Sequence, residues 1–137
     1  MNIPDSTPTF AAMATGYFPR GYKSRAEAEL EGGPTDRCDH PLYSVDDYAT
    51  GSSTYVSVAM DPKVFPYRQP LHIPELDRLF GMENILFRVV DDGNDFIGTG
   101  TSRVDICCGS RDETYQIDDQ KHNALPVTLI VLREEEI

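Results

Sequence analysis

Four aspartates of this 137-residue chain stand where apolar runs end or are interrupted. Asp61 follows the run Tyr55-Val56-Ser57-Val58-Ala59-Met60, and Asp91 and Asp92 follow Asn84-Ile85-Leu86-Phe87-Arg88-Val89-Val90. Asp105 lies inside Arg103-Val104-Asp105-Ile106-Cys107-Cys108. A carboxylate in such a run is costly to bury unless it is hydrogen-bonded or protonated. If Asp91 and Asp105 share a cleft, each raises the other's affinity for a proton. A carboxyl that keeps its proton near neutral pH is what a general acid requires. Asp61-Pro62 and Asp92-Gly93 have a simpler explanation, since Asp-Pro and Asp-Gly commonly make strand exits and turns. That explanation does not cover Asp105.

Other chemistry-bearing groupings are weaker. Cys38-Asp39-His40 with Cys107-Cys108 assembles a zinc set only on paper, because the spacing is not that of a finger or ribbon. Asp91-Asp92-Gly93-Asn94-Asp95 is rich in oxygen but lacks the loop order and closing glutamate of a calcium loop, which favours a solvated turn. A nucleophilic Cys107 or Cys108 with His72 or His122 has no spacing in its favour, and adjacent cysteines in a strand more often pack than react. Three cysteines make no disulfide framework. The expectation is therefore no metal and no cofactor.

The elements that must position these residues are mostly strands. Residues 1–12 read as a flexible lead-in, rich in Pro, Ser and Thr. Met13 to Phe18 reads as a strand stopped by Pro19, and strands follow at Tyr55–Met60, Leu71–Ile73, Asn84–Val90, Arg103–Cys108 and Val127–Leu132. Short helices are expected from Ser24-Arg25-Ala26-Glu27, which has capping-box spacing, from Ser44 with Asp47, over Glu75–Phe80, and over Ser110–Ile117. About six short strands joined by Gly- and Pro-rich connections imply an all-β domain over 13–133 that closes into a small barrel. Residues 134–137 read as a solvated acidic tail.

Lys and Arg number 12 and Asp and Glu 23, a net charge of −11. So acidic a surface repels phosphate backbones and anionic lipid, which argues against nucleic-acid binding and membrane-surface binding. No apolar stretch approaches the roughly 20 residues of a membrane-spanning helix. The run Phe10–Ala14 is too short for a signal-peptide core.

Several segments, in order, are similar to one known family. Ala14-Thr15-Gly16-Tyr17-Phe18-Pro19 resembles the first-strand "TGYY-P" element of the membrane-bound lytic transglycosylase A family and of the related small domains named for three aspartates. Val58-Ala59-Met60-Asp61-Pro62-Lys63-Val64-Phe65-Pro66 resembles their "AVDPKVIP", and Leu71-His72-Ile73-Pro74 the "vyIP" that follows. Val89-Val90-Asp91-Asp92-Gly93 resembles "A-x-DTGG", and Arg103-Val104-Asp105-Ile106 resembles "RIDI", with Gly109 matching the glycine beyond. The resemblance implies a six-stranded double-psi β-barrel. It implies cleavage of the β-1,4 bond between N-acetylmuramic acid and N-acetylglucosamine in peptidoglycan, and hence a secreted or cell-envelope location. Asp105 is then the catalytic acid/base with Asp91 as its partner, and Asp61, Asp92, Tyr17 and Thr15 contact substrate. One carboxyl protonates the leaving oxygen, then takes the proton of the sugar's own 6-hydroxyl as a 1,6-anhydro ring closes.

The chain also departs from that pattern. Between Asp91 and Asp105 it is three residues longer than "DTGGAIKGNRID", the glycine pair is broken, and the lysine is missing. Glu31-Gly32-Gly33-Pro34-Thr35-Asp36-Arg37 has no place in the pattern and reads as an exposed turn, with a second wall of the cleft as the alternative. Two other functions fit the same residues: a non-catalytic, expansin-like barrel that binds polysaccharide, and a secreted effector directed at the wall.

Overall fold

The computed structural model describes residues 3–4, 6–19, 35–93, 96–118 and 123–137. The helix expected at Ser24–Glu31 lies outside them. Six strands are described: β1 (Thr9–Tyr17), β2 (Val56–Ala59), β3 (Gln69–His72), β4 (Phe87–Asp91), β5 (Arg103–Cys107) and β6 (Leu125–Val131). They close into one barrel in the order β1-β5-β2-β4-β3-β6. Pairs β1/β5 and β2/β4 are parallel, and the other four are antiparallel.

This ring has an internal two-fold relation. Exchanging β1, β2 and β3 with β4, β5 and β6 maps every neighbour pair onto a neighbour pair, β2/β5 and β3/β6 onto themselves and each parallel pair onto the other. Two interlocked three-strand halves of this kind make the double-psi β-barrel. Strands β2 and β5 exchange with each other under this relation, and they pair at only two positions, Val58↔Ile106 and Ala59↔Asp105.

Closure also explains the composition of the strands. Val56, Val58, Phe87, Val89, Val104, Ile106, Leu71 and Leu129 fill the barrel interior. A second cluster of Leu42, Tyr55, Leu86, Val90, Cys107 and Leu132 lies apart from it, with Tyr17, Tyr43 and Tyr67 packed against it. Alternation along β4 and β5 puts Val90 and Cys107 on the outer face. Strand β2 is covered on both sides, so all four of its residues are buried and it reads as an unbroken small-apolar run.

Among the described residues three short α-helices decorate the barrel. In α1 (Val45–Ala49) Ser44 and Asp47 form the capping box expected from their spacing. Helix α2 (Pro74–Phe80) starts on Pro74 and stops at Gly81, whose φ of +65° suits glycine. Helix α3 (Arg111–Asp118) begins where the Ser110 hydroxyl accepts the Glu113 amide.

Two expectations about the chain ends are corrected. Strand β1 begins at Thr9, inside the segment taken as a lead-in, because β6 supplies antiparallel partners from Thr9↔Ile130 onward. Residues Glu134–Glu136 form a 3₁₀ turn in which Glu134 and Glu135 stay exposed and Glu136 is buried. Arg88 grips Glu134 with two nitrogens at 2.5 and 3.0 Å, and Arg133 holds the buried Glu136 at 2.5 Å.

Candidate active site

The register of the barrel lines up the residues singled out by sequence. Thr15 on β1 pairs with Asp105 on β5, Asp105 pairs with Ala59 on β2, and Ala59 pairs with Asp91 on β4. Residues paired across neighbouring strands face the same side of the sheet. Here that side is the outer one, because Val104 and Ile106, which flank Asp105, point into the core.

Asp91 reaches this row through a β-bulge. Pairing moves from Val58↔Val89 to Ala59↔Asp91, so Val90 is left over. Without that extra residue Asp91 would follow Val89 at a spacing of two and point into the core with it. The bulge turns it outward. Asp91 and Asp105 therefore flank Ala59, two strand spacings or about 10 Å apart at their Cα atoms. Between them stands only a methyl group.

The hydrogen bonds separate the two carboxyls in chemistry. Thr15 Oγ1 donates to Asp105 Oδ1 at 3.0 Å, and Tyr17 Oη donates to Asp91 Oδ2 at 3.4 Å. The Asp92 amide donates to Asp91 Oδ1 at 3.0 Å, while the Asp92 residue itself is exposed. Burial raises the Asp105 pKa to about 7; the Thr15 hydroxyl and Arg103 oppose this, and Asp118 and Asp91 add to it. Burial raises Asp91 to about 6, with Asp92 and Asp36 adding and the Asp92 amide and Tyr17 opposing. Tyr17 is held well above its ordinary value, first by burial and then by Cys107, Asp91 and Asp105, so it stays a neutral donor. At neutral pH the row thus offers one carboxyl close to half protonation beside another that is mostly ionised.

Gly16 sits between the two donors for a packing reason. A Cβ there would lie 2.9 Å from Thr114 Cα and 3.1 Å from Cys108 Sγ, so glycine lets α3 dock on β1. Through that docking α3 brings Asp118, which sequence reasoning had not singled out, within electrostatic reach of Asp105.

Asp61 is placed differently from Asp91 and Asp105. Its carboxylate is 3% exposed and accepts the amides of Gly98, Gly100 and Lys63 at 2.9, 3.1 and 3.0 Å. These amides hold its pKa below the ordinary value. Its work in this fold is to tie down the loop that leads into β5.

Asp36, read from sequence as part of an exposed turn, is buried and close enough to Asp91 to raise its pKa. It accepts the Tyr67 hydroxyl at 2.5 Å and the amides of Cys38 and His40. The Arg37 amide donates to Val90 O at 3.2 Å, which seats this turn against the bulge. The signal for it was the pair Asp36 and Tyr67, 31 residues apart, which no local pattern connects. Glu31 and Asn94-Asp95 lie outside the described residues.

Beside the row, a cavity of about 210 Å³ is lined by Phe18, Pro19, Leu42, Ser44, Asp46, Asp47, Cys107, Cys108 and Gly109. It adjoins Tyr17 and Cys107, but neither Asp91 nor Asp105 lines it. Among the described residues no group of three His, Cys, Asp or Glu side chains is placed to hold a metal ion. Burial pushes the Cys108 thiol far up, the opposite of what a nucleophile needs.

No protein-family model matches the chain, and no curated protein matches it.

Proposed function

We propose that the protein is a lytic-transglycosylase-like enzyme, with Asp105 as its single general acid/base. The substrate is the β-1,4 link between N-acetylmuramic acid and N-acetylglucosamine in peptidoglycan. The observation that carries this reading is a partly buried aspartate on the outer side of the barrel sheet, its pKa raised to about 7, hydrogen-bonded by Thr15. Protonated Asp105 gives its proton to the leaving glycosidic oxygen. The carboxylate so formed keeps the Thr15 hydroxyl as donor, then accepts the proton of the sugar's 6-hydroxyl as that oxygen bonds to C1. The acid is restored, and the sequence consumes no water, metal or cofactor, unlike hydrolysis by two carboxylates. Asp91, fixed by Tyr17, helps Asp105 hold its proton and offers an acceptor to sugar hydroxyls. Such a substrate puts the working protein outside the cytoplasm or in the envelope. No described helix is long and apolar enough to cross a membrane.

The test is an Asp105→Asn variant offered purified sacculi. Loss of about 10²-fold or more in solubilisation is expected, with 1,6-anhydro ends on the parent's products by mass. Equal digestion by the variant sinks the assignment, and reducing ends point to hydrolysis. One observation favours the second reading, an expansin-like binding barrel: the cavity beside the row excludes both acids. Retention on insoluble glycan without soluble product, unchanged in Asp105→Asn, would establish that reading. A wall-directed effector shares the first chemistry and would lyse cells only on periplasmic delivery.

A further inference from the structure

The face that carries the aspartate row also carries a patch of the opposite charge. In a chain of net charge −11, three guanidinium groups gather over two tyrosines. Arg37 Cζ lies 5.4 Å from the Tyr67 ring centre, Arg68 Cζ 5.1 Å from that of Tyr55, and Arg88 Cζ 6.0 Å from the same Tyr55. The His40 ring stacks on Tyr67 with centroids 6.4 Å apart. Tyr55, Tyr67, Tyr17, Val90 and Cys107 belong to one packed cluster, so this patch and the aspartate row share an apolar floor.

The three arginines are not equivalent. Arg88 is consumed by its two-pronged bond to Glu134, the acid that also feels Arg68. Among the described residues Arg37 and Arg68 form no salt bridge, and their guanidinium groups lie over Tyr67 and Tyr55. Each is fixed through its backbone: Arg37 N–H donates to Val90 O at 3.2 Å and Arg68 N–H to Val89 O at 2.7 Å. Arg68 also has φ +74°, a left-handed conformation rare for a long side chain. The Asp36–Tyr67 bond fixes the ring under Arg37. Two guanidinium forks with no salt bridge among the described residues, anchored through Val90 and Val89 one and two residues before Asp91, suit a planar anion.

We propose that Arg37 and Arg68 form a carboxylate-binding subsite that takes the acidic peptide substituent of a glycan strand whose sugar backbone lies over Asp91 and Asp105. This rests on the glycan-cleaving reading above, and it makes the substrate a peptide-bearing strand rather than a bare polysaccharide.

The experiment uses the full chain carrying Asp105→Asn, so that binding is read without turnover. Soluble glycan strands bearing their peptides and the same strands stripped by an amidase are titrated by calorimetry. The peptide-bearing strand is expected to bind about tenfold more tightly, the loss typical of one charged hydrogen-bonded contact. Adding Arg37→Gln or Arg68→Gly should abolish that preference and leave the stripped strand's affinity unchanged. Glycine adopts the backbone conformation of residue 68 without strain, so Arg68→Gly keeps the fold, and a melting curve checks it. Equal affinity for the two strands, or a preference that survives both substitutions, overturns the subsite. If neither strand binds, the glycan reading fails, and the free acidic peptide alone decides the subsite. Amide shifts at residues 37 and 68 that vanish in the variants support it, and none overturn it.

Discussion

Replacing Asp105 by Asn should stabilise the protein above neutral pH. In the fold the Asp105 pKa is raised to about 7, chiefly by burial, against 3.8 for an ordinary aspartate. A carboxyl shifted upward binds its proton more tightly in the fold than in the unfolded chain. Its contribution is therefore fully favourable below pH 3.8 and is lost as the pH climbs through about 7. At about 1.36 kcal/mol for each pH unit the complete loss is about 4 kcal/mol. Water reaching the carboxylate, which is not fully buried, trims this to about 2–4 kcal/mol. An asparagine has nearly the same shape, its carbonyl still accepts the Thr15 hydroxyl, and it carries no charge at any pH. Urea unfolding of parent and variant at pH 4 and pH 8 measures the effect. The variant should gain about 2–4 kcal/mol at pH 8, or on the order of 10 °C in Tm, with little gain at pH 4. A destabilised variant, or a difference that does not change with pH, refutes the claim that this site holds a proton. The general-acid mechanism falls with it.

Three further outcomes are expected. Thr15→Val removes a hydrogen bond that favours the ionised form, so the Asp105 titration followed by carbon NMR should move to still higher pH. Gly16→Ala forces a methyl against Thr114 Cα and Cys108 Sγ, and should cost about 1–3 kcal/mol in chemical denaturation while perturbing the amide shifts of α3. Asp61→Ala leaves the amides of Gly98, Gly100 and Lys63 without their acceptor, and should cost about 2–4 kcal/mol and speed hydrogen exchange in residues 98–100.

The local features were the most legible ones. The Ser44–Asp47 cap, the Pro74 start of α2 and the interruption of a strand by Asp105 are all visible within a few residues of sequence, because each is a contest between neighbours on the chain. The start of β1 was missed for the opposite reason. Thr9 and Phe10 favour a strand but Ala11 and Ala12 do not, and it is β6, more than a hundred residues on, that gives the segment its partners. A shared face for Asp91 and Asp105 was considered from sequence, but the Val90 bulge that turns Asp91 to that face was not, since strand alternation counted from Val89 puts Asp91 inside the barrel. The folded-back acidic end and the Asp36–Tyr67 bond were invisible for want of any local signal. Asp61 had a simpler reading in sequence as a strand exit, but its anchoring of the loop before β5 was not legible, because it depends on which amides converge on the carboxylate.

Sequence alone determined the kind of molecule: an acidic, mostly β chain with capped short helices and a carboxyl set in an apolar strand. Propensity, capping and alternation act over a handful of residues, so they can be read without knowing the fold. The tertiary structure alone decided which strands pair, and therefore which carboxyls meet. It put Asp105, Ala59 and Asp91 in one row, raised the pKa of Asp105 by burying it, and set Arg37 and Arg68 over tyrosines of the neighbouring cluster. Register between distant strands and the dielectric around a side chain are properties of the closed barrel, and neither exists until it forms.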